Sequence, residues 1–338
     1  MANENKNDVF LSVRDIVVEY TQGRETIHAV NGVSFDLKRG STIGLVGETG
    51  AGKTTIAKTI LRILPNPPAK FIKGEVFLDG VNLIDLPENE MREYRGNKIA
   101  MIFQDPMTAL NPLMTVGEQI VEVLQLHDRT LKHKEAEDKA MELLEMVGIP
   151  GGRYIEYPHQ FSGGMKQRVV IAMALACNPA LILADEPTTA LDVTIQAQVL
   201  DLIKDLRNKF NTSMVLITHD LGVVAETCEN VAVVYAGEII ESGNKHDIFR
   251  HPTHPYTIGL FNSLPNMVED SDRLTPIEGL PPDPTNLPEG CKFHPRCPHA
   301  TEICRTGPIP TVECVPDHFC RCVLAKRDDN SPLWEGKR

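Results

Sequence analysis

Eight consecutive residues, Gly47-Glu48-Thr49-Gly50-Ala51-Gly52-Lys53-Thr54, have the types and spacing needed to grip a chain of phosphates. Gly47, Gly50 and Gly52 let the backbone turn tightly and bring its N–H groups against phosphate oxygens with no Cβ in the way. A helix opening at the end of such a loop adds the positive end of its dipole. Lys53 can reach the β- and γ-phosphates, and the Thr54 hydroxyl, with Thr55 behind it, stands where Mg²⁺ is ligated. This chemistry requires a strand before the loop and a helix after it. The apolar run 42–46 and the segment 56–64 supply them. The loop therefore predicts a nucleoside triphosphate site.

Two further groups belong to the same chemistry. Leu181-Ile182-Leu183-Ala184-Asp185-Glu186 is an apolar strand ending in two acids. In a parallel α/β sheet, ligands sit at the carboxyl ends of strands. Asp185 there would hold Mg²⁺, directly or through water, and Glu186 would act as general base on the attacking water. Ser162-Gly163-Gly164-Met165 opens a helix and makes a second anion site. One triphosphate seldom needs two such sites within one chain, but two chains could share them.

The elements that must position these residues alternate. Segments 9–20 and 29–37 read as strands, and 75–78 and 81–83 as a hairpin about Asp79-Gly80. Residues 98–103 form a short strand, the pattern from 116 to 147 is helical, and a helix runs from Ser162 to about 177. Strand 181–184, helix 194–208 and strands 214–218 and 231–235 follow, which implies an α/β domain with a mainly parallel sheet. After about residue 245 the texture changes to a short helix at 256–264, a proline-rich stretch near 276–288 and a cysteine cluster.

The chain has 338 residues, enough for one large domain with an appendage. Its net charge of −12 argues against a nucleic-acid partner. The polar start lacks an apolar signal core. The longest apolar run, 169–177, is too short to span a bilayer, so a soluble or peripheral cytosolic protein is expected.

Taken in order, the phosphate loop, Gln104 in Phe103-Gln104-Asp105-Pro106, Phe161-Ser162-Gly163-Gly164-Met165, the acidic strand, Ala190-Leu191-Asp192 and His219 resemble the nucleotide-binding subunit of an ATP-binding cassette (ABC) transporter over about residues 8–245. The resemblance implies a phosphate-loop ATPase core with an antiparallel β subdomain and a helical subdomain near 106–165. It implies ATP and Mg²⁺ as cofactors, with Gln104 sensing Mg²⁺ and the attacking water, His219 on the γ-phosphate, Tyr20 stacked on adenine and Asp192 crossing a dimer interface. Phe161 and Met165 depart from the usual Leu and Gln of the signature, while Ser162, Gly163 and Gly164 are retained. With Glu186 and His219 both present, the chain's own site resembles a hydrolytic one.

The extension 246–338 resembles the peptide-importer branch of that family, on His254-Pro255-Tyr256-Thr257, Leu280-Pro281-Pro282 and Gly290-Cys291. The resemblance implies a peripheral ATPase on the cytoplasmic face of the membrane. Its partners would be two integral membrane permease subunits, a second related ATPase or a second copy, and indirectly an extracytoplasmic peptide-binding protein. Nickel or another small solute is the alternative cargo. A cassette ATPase acting on nucleic acid or ribosomes is the alternative class, disfavoured by charge and by the lack of long coiled-coil insertions.

Six of the eight cysteines fall between 291 and 322, while Cys177 and Cys228 read as core residues. Disulfides do not suit a reducing compartment. Spacing alone leaves zinc and a cysteine-ligated iron–sulfur cluster both open. The resemblance favours [4Fe–4S], with Cys291, Cys297 and Cys304 matching directly and Cys322 as fourth ligand, Cys320 being the alternative and Cys314 third. Its expected role is to staple a loop-rich extension that has little core.

Overall fold

The computed structural model describes residues 9–189, 191–263 and 276–325. Ala190, Leu264 and the extension's residues 264–275 and 326–338 lie outside the described residues. The chain forms two units, one from Met1–Leu11, Leu37–Thr42 and Leu78–Thr218, the other from Ser12–Asp36, Ile43–Phe77 and His219–Arg338.

In the first unit the strands Ile99–Ile102, Leu181–Asp185 and Ser213–Thr218 run parallel, with Leu181–Asp185 in the middle. All of their residues are buried, as near-continuous apolar runs in a parallel sheet should be. The register Ile102↔Ala184 brings the two strand ends level, so Gln104 and Glu186 leave the sheet side by side. The helical pattern 116–147 is two helices, Val116–His127 and His133–Met146. The break has a local cause: Asp128 Oδ1 accepts from the N–H (3.0 Å) and O–H (2.6 Å) of Thr130, a side-chain turn that competes with helix. Helix Gly163–Leu175 begins at its cap Ser162, and helix Val193–Phe210 ends on Asn211 in a left-handed conformation.

In the second unit Thr42–Val46 lies parallel to Asn230–Tyr235, which turns antiparallel into Glu238–Asn244. The turn residues Ala236 and Gly237 both have positive φ (47° and 77°), the geometry of a tight hairpin. His318–Cys320 then pairs antiparallel with Glu238–Asn244, and Val312–Val315 pairs with His318–Cys320. The late segment of the chain thus adds two strands to the sheet that carries the phosphate loop. Glu241 secures it there. Its buried carboxylate meets His318 Nε2 at 2.8 Å and accepts the Thr253 (2.6 Å) and His254 (3.0 Å) N–H groups. A buried carboxylate needs such satisfaction. The long strands Glu25–Lys38, Val9–Gln22 and Ala69–Leu78 lie side by side in that order. Cys228 is a core residue as expected, whereas Cys177 is only half-buried.

Candidate active site

The phosphate loop leaves the buried strand Thr42–Val46 and enters helix Lys53–Ile60, which starts three residues earlier than apolar periodicity indicates. Gly52 caps it at φ 97°, and a Cβ there would collide with the Ala29 carbonyl oxygen, so both backbone and space require glycine. Lys53 is buried, and its Nζ donates to the carbonyls of Gly47 (2.7 Å) and Glu48 (3.0 Å). The ammonium is thereby folded over the loop's own backbone. Tyr20 lies against the same helix, its hydroxyl 3.3 Å from Thr55 Oγ1. Thr54 occupies the helix's first turn beside Lys53, and Thr49, Gly50 and Ala51 complete the loop.

In the first unit, Asp185 is buried at the end of its strand. Glu186 turns out of the sheet at φ 45°, a conformation uncommon for a residue with a side chain and one that concentrates at functional sites. Its N–H donates to Ile217 O at 2.8 Å. Its Oε2 accepts from Gln104 Nε2 and Thr189 Oγ1, both at 2.9 Å. The structure so brings Gln104 and Glu186 together, and with its nitrogen turned to Glu186, Gln104 presents its oxygen elsewhere. Thr189 carries no motif signal of its own; only the turn after the strand reveals it. His219 is exposed, directly after strand Ser213–Thr218.

Ser162 and Gly163 are exposed at the tip of their helix, with Ser162 Oγ accepting from Met165 N–H at 3.4 Å. Gly164 packs against helix Val193–Phe210, and a Cβ would crowd Ile195 Cγ2 to 2.5 Å. Asp192 sits exposed at the cap of that second helix and makes no side-chain capping bond. The two unusual signature residues share one neighbour. The Arg153 guanidinium lies 4.5 Å over the buried Phe161 ring and 3.5 Å from Met165 Sδ, held by Glu156 at 2.6 Å. The departures are thus packed, and the exposed Ser162 and Gly163 are left in place.

Four cysteines, Cys291, Cys297, Cys304 and Cys322, line one small pocket of about 10 Å³ together with His254, Phe293 and Ile309. Cys320 and Cys314 do not line it. They form their own pair on adjoining strands, where a hydrogen bond from Cys320 draws the Cys314 thiol down to about 7. Burial lowers His254 to about 4 and keeps it neutral. Its Nδ1 accepts the Tyr256 N–H at 3.0 Å, which puts the ring proton on Nε2, and Nε2 is buried with no hydrogen-bond partner among the described residues. Among the described residues, no three His, Cys, Asp or Glu side chains converge closely enough to hold a single metal ion.

Residues 30–189 match the family model described as ABC transporter, and 240–304 match the one described as oligopeptide/dipeptide transporter, C-terminal region. The chain is 50% identical over 325 residues to a probable peptide ABC transporter ATP-binding protein of Sinorhizobium fredii, covering 95% of this chain and 97% of that one. It is 48% identical to the oligopeptide transport ATP-binding protein AppD of Bacillus subtilis (94% and 97% covered). It is 46% identical to OppD of Escherichia coli (94% of each). Among solved structures it resembles the ATP-binding cassette MJ0796 in a dimeric post-hydrolysis state with ADP and Pi, at 31% identity and a TM-score of 0.63, over 70% of this chain and 98% of that one.

Proposed function

Because the chain belongs to the ABC transporter ATP-binding subunits, in their oligopeptide/dipeptide branch, we propose that it hydrolyses ATP to drive peptide import through a membrane permease. The observation that carries the hydrolytic part is Glu186, turned out of its strand and held on one oxygen by Gln104 and Thr189. A carboxylate oriented by two donors in this way suits a general base that takes a proton from the attacking water. Lys53 and the loop N–H groups would bind the β- and γ-phosphates, and His219 would contact the γ-phosphate. Thr54, Asp185 and the free oxygen of Gln104 are the hard oxygen donors that suit Mg²⁺, which supplies charge neutralisation on the phosphates.

Ser162, Gly163, Gly164 and Asp192 stand exposed or half-exposed at their helix starts, which suits completion of a second ATPase subunit's site on dimer closure. Closure and reopening would then bias the permease between its two states. Met107 and Leu113, strongly exposed apolar residues just after Gln104, favour this segment as the permease contact. No described helix is long and apolar enough to cross a membrane, which agrees with a peripheral subunit.

For the cysteine pocket we infer a [4Fe–4S] cluster on Cys291, Cys297, Cys304 and Cys322. Four thiols around one pocket, with a buried Nε2–H on His254 at its wall that has no partner among the described residues, support it. Zinc would need its ligands gathered about one ion at roughly 2.3 Å. A cluster takes each thiolate on a different iron and tolerates wider spacing. Its role would be structural, tying loops of the extension together.

The test is reconstitution with the permease and peptide-binding protein. ATPase activity and peptide uptake should both appear, and Glu186→Gln should lower turnover by roughly a hundredfold or more while trapping an ATP-bound closed dimer. Normal turnover by that variant removes Glu186 from the role of base. Absence of any affinity for ATP overturns the function.

A further inference from the structure

Glu48 places a carboxylate inside the phosphate loop, where it opposes the charge of an incoming triphosphate. The structure supplies its counter-charge from 248 residues downstream. Arg296, between Cys291 and Cys297 in the extension, forks onto Glu48 with Nη1 at 2.8 Å from Oε2 and Nη2 at 3.1 Å from Oε1. The Arg296 side chain is only 5% exposed. Its Nε donates to Glu278 O at 3.1 Å, and its carbon lies 5.9 Å and 6.0 Å from the ring centres of Tyr235 and Phe293. Tyr256, packed 4.5 Å from Tyr235, accepts the Glu48 N–H on its hydroxyl at 3.0 Å. The extension therefore holds the second residue of the loop by both backbone and side chain.

We propose that Arg296 is a positioning residue for ATP binding, one that cancels the charge of Glu48 and holds its carboxylate back from the phosphates. A buried guanidinium with its donors already aligned does this with little reorganisation, as a lysine could not. The reading rests on the ATP-binding function above, and the extension thereby becomes part of the nucleotide site.

The test measures binding of Mg²⁺ with the slowly hydrolysed analogue ATPγS to full-length chain in the assembled transporter. Arg296→Met should weaken binding about tenfold, and kcat at saturating ATP should change far less. Adding Glu48→Gln to Arg296→Met should restore binding to within about twofold, since the carboxylate needing cancellation is gone. Glu48→Gln alone keeps an acceptor for Arg296, is nearly isosteric, and should bind roughly threefold tighter. Unchanged binding by Arg296→Met, a double variant as weak as the single, or weaker binding by Glu48→Gln overturns the proposal. Should Arg296→Met fail to fold, Glu48→Gln decides alone. A wild-type complex that binds no ATPγS instead overturns the ATP-binding function itself.

Discussion

At the scale of single residues, Gln104 and Glu186 are joined by one 2.9 Å bond, and this makes their roles separable by experiment. Gln104→Ala removes a group that orients the base. We expect kcat to fall about tenfold with KM for ATP little changed, the pattern of an interaction used in the transition state. Steady-state kinetics check this; a raised KM at normal kcat would move Gln104 to ground-state binding. The sequence marked Glu186 through an apolar strand ending in acids, and Gln104 through its resemblance to the cassette family's motif. Thr189, Arg153 and Arg296 were invisible to it. A threonine three residues past the acid or an arginine among cysteines has no meaning until the chain folds back and sets its atoms against a particular carboxylate or ring.

At the scale of elements, the signature helix does two jobs with one tip. Ser162 and Gly163 stay exposed, while Gly164 lets helix Val193–Phe210 approach closely. Gly164→Ala should therefore cost stability as well as activity, by about 1–3 kcal/mol for the crowding of Ile195. Thermal unfolding measures it, and Ile195→Ala in the same chain should recover much of the loss. Activity lost at full stability would leave Gly164 a phosphate contact alone. Lys166, one turn into the helix, points its Nζ at Met107 Sδ at 3.0 Å, linking the signature to the segment after Gln104. The break at Asp128 shows why element boundaries were less legible than element types. Apolar periodicity continues across 116–147, but a single aspartate–threonine turn interrupts the backbone.

At the scale of the whole chain, the late segment is no loose appendage. It contributes two strands to the sheet of the phosphate loop, a buried Glu241–His318 contact and the Arg296 fork. The four-cysteine pocket makes the proposed cluster testable. Cys322→Ser should lose most iron and the brown absorbance near about 400 nm expected of such clusters, whereas Cys320→Ser should keep both. Iron analysis and the visible spectrum report this without any transport assay. A colourless wild type carrying zinc would reverse the assignment.

What the sequence determined on its own was chemistry with a local grammar. The glycine spacing around Lys53, the apolar strand ending in Asp185-Glu186 and the serine–glycine helix start each carry meaning within a few residues, since backbone geometry dictates them. Tertiary structure decided the partners: which thiols share a pocket, which arginine answers Glu48, what holds Glu186. These are contacts between residues up to 248 positions apart, and no short-range rule reaches across that separation. Only the packing of buried surfaces fixes them.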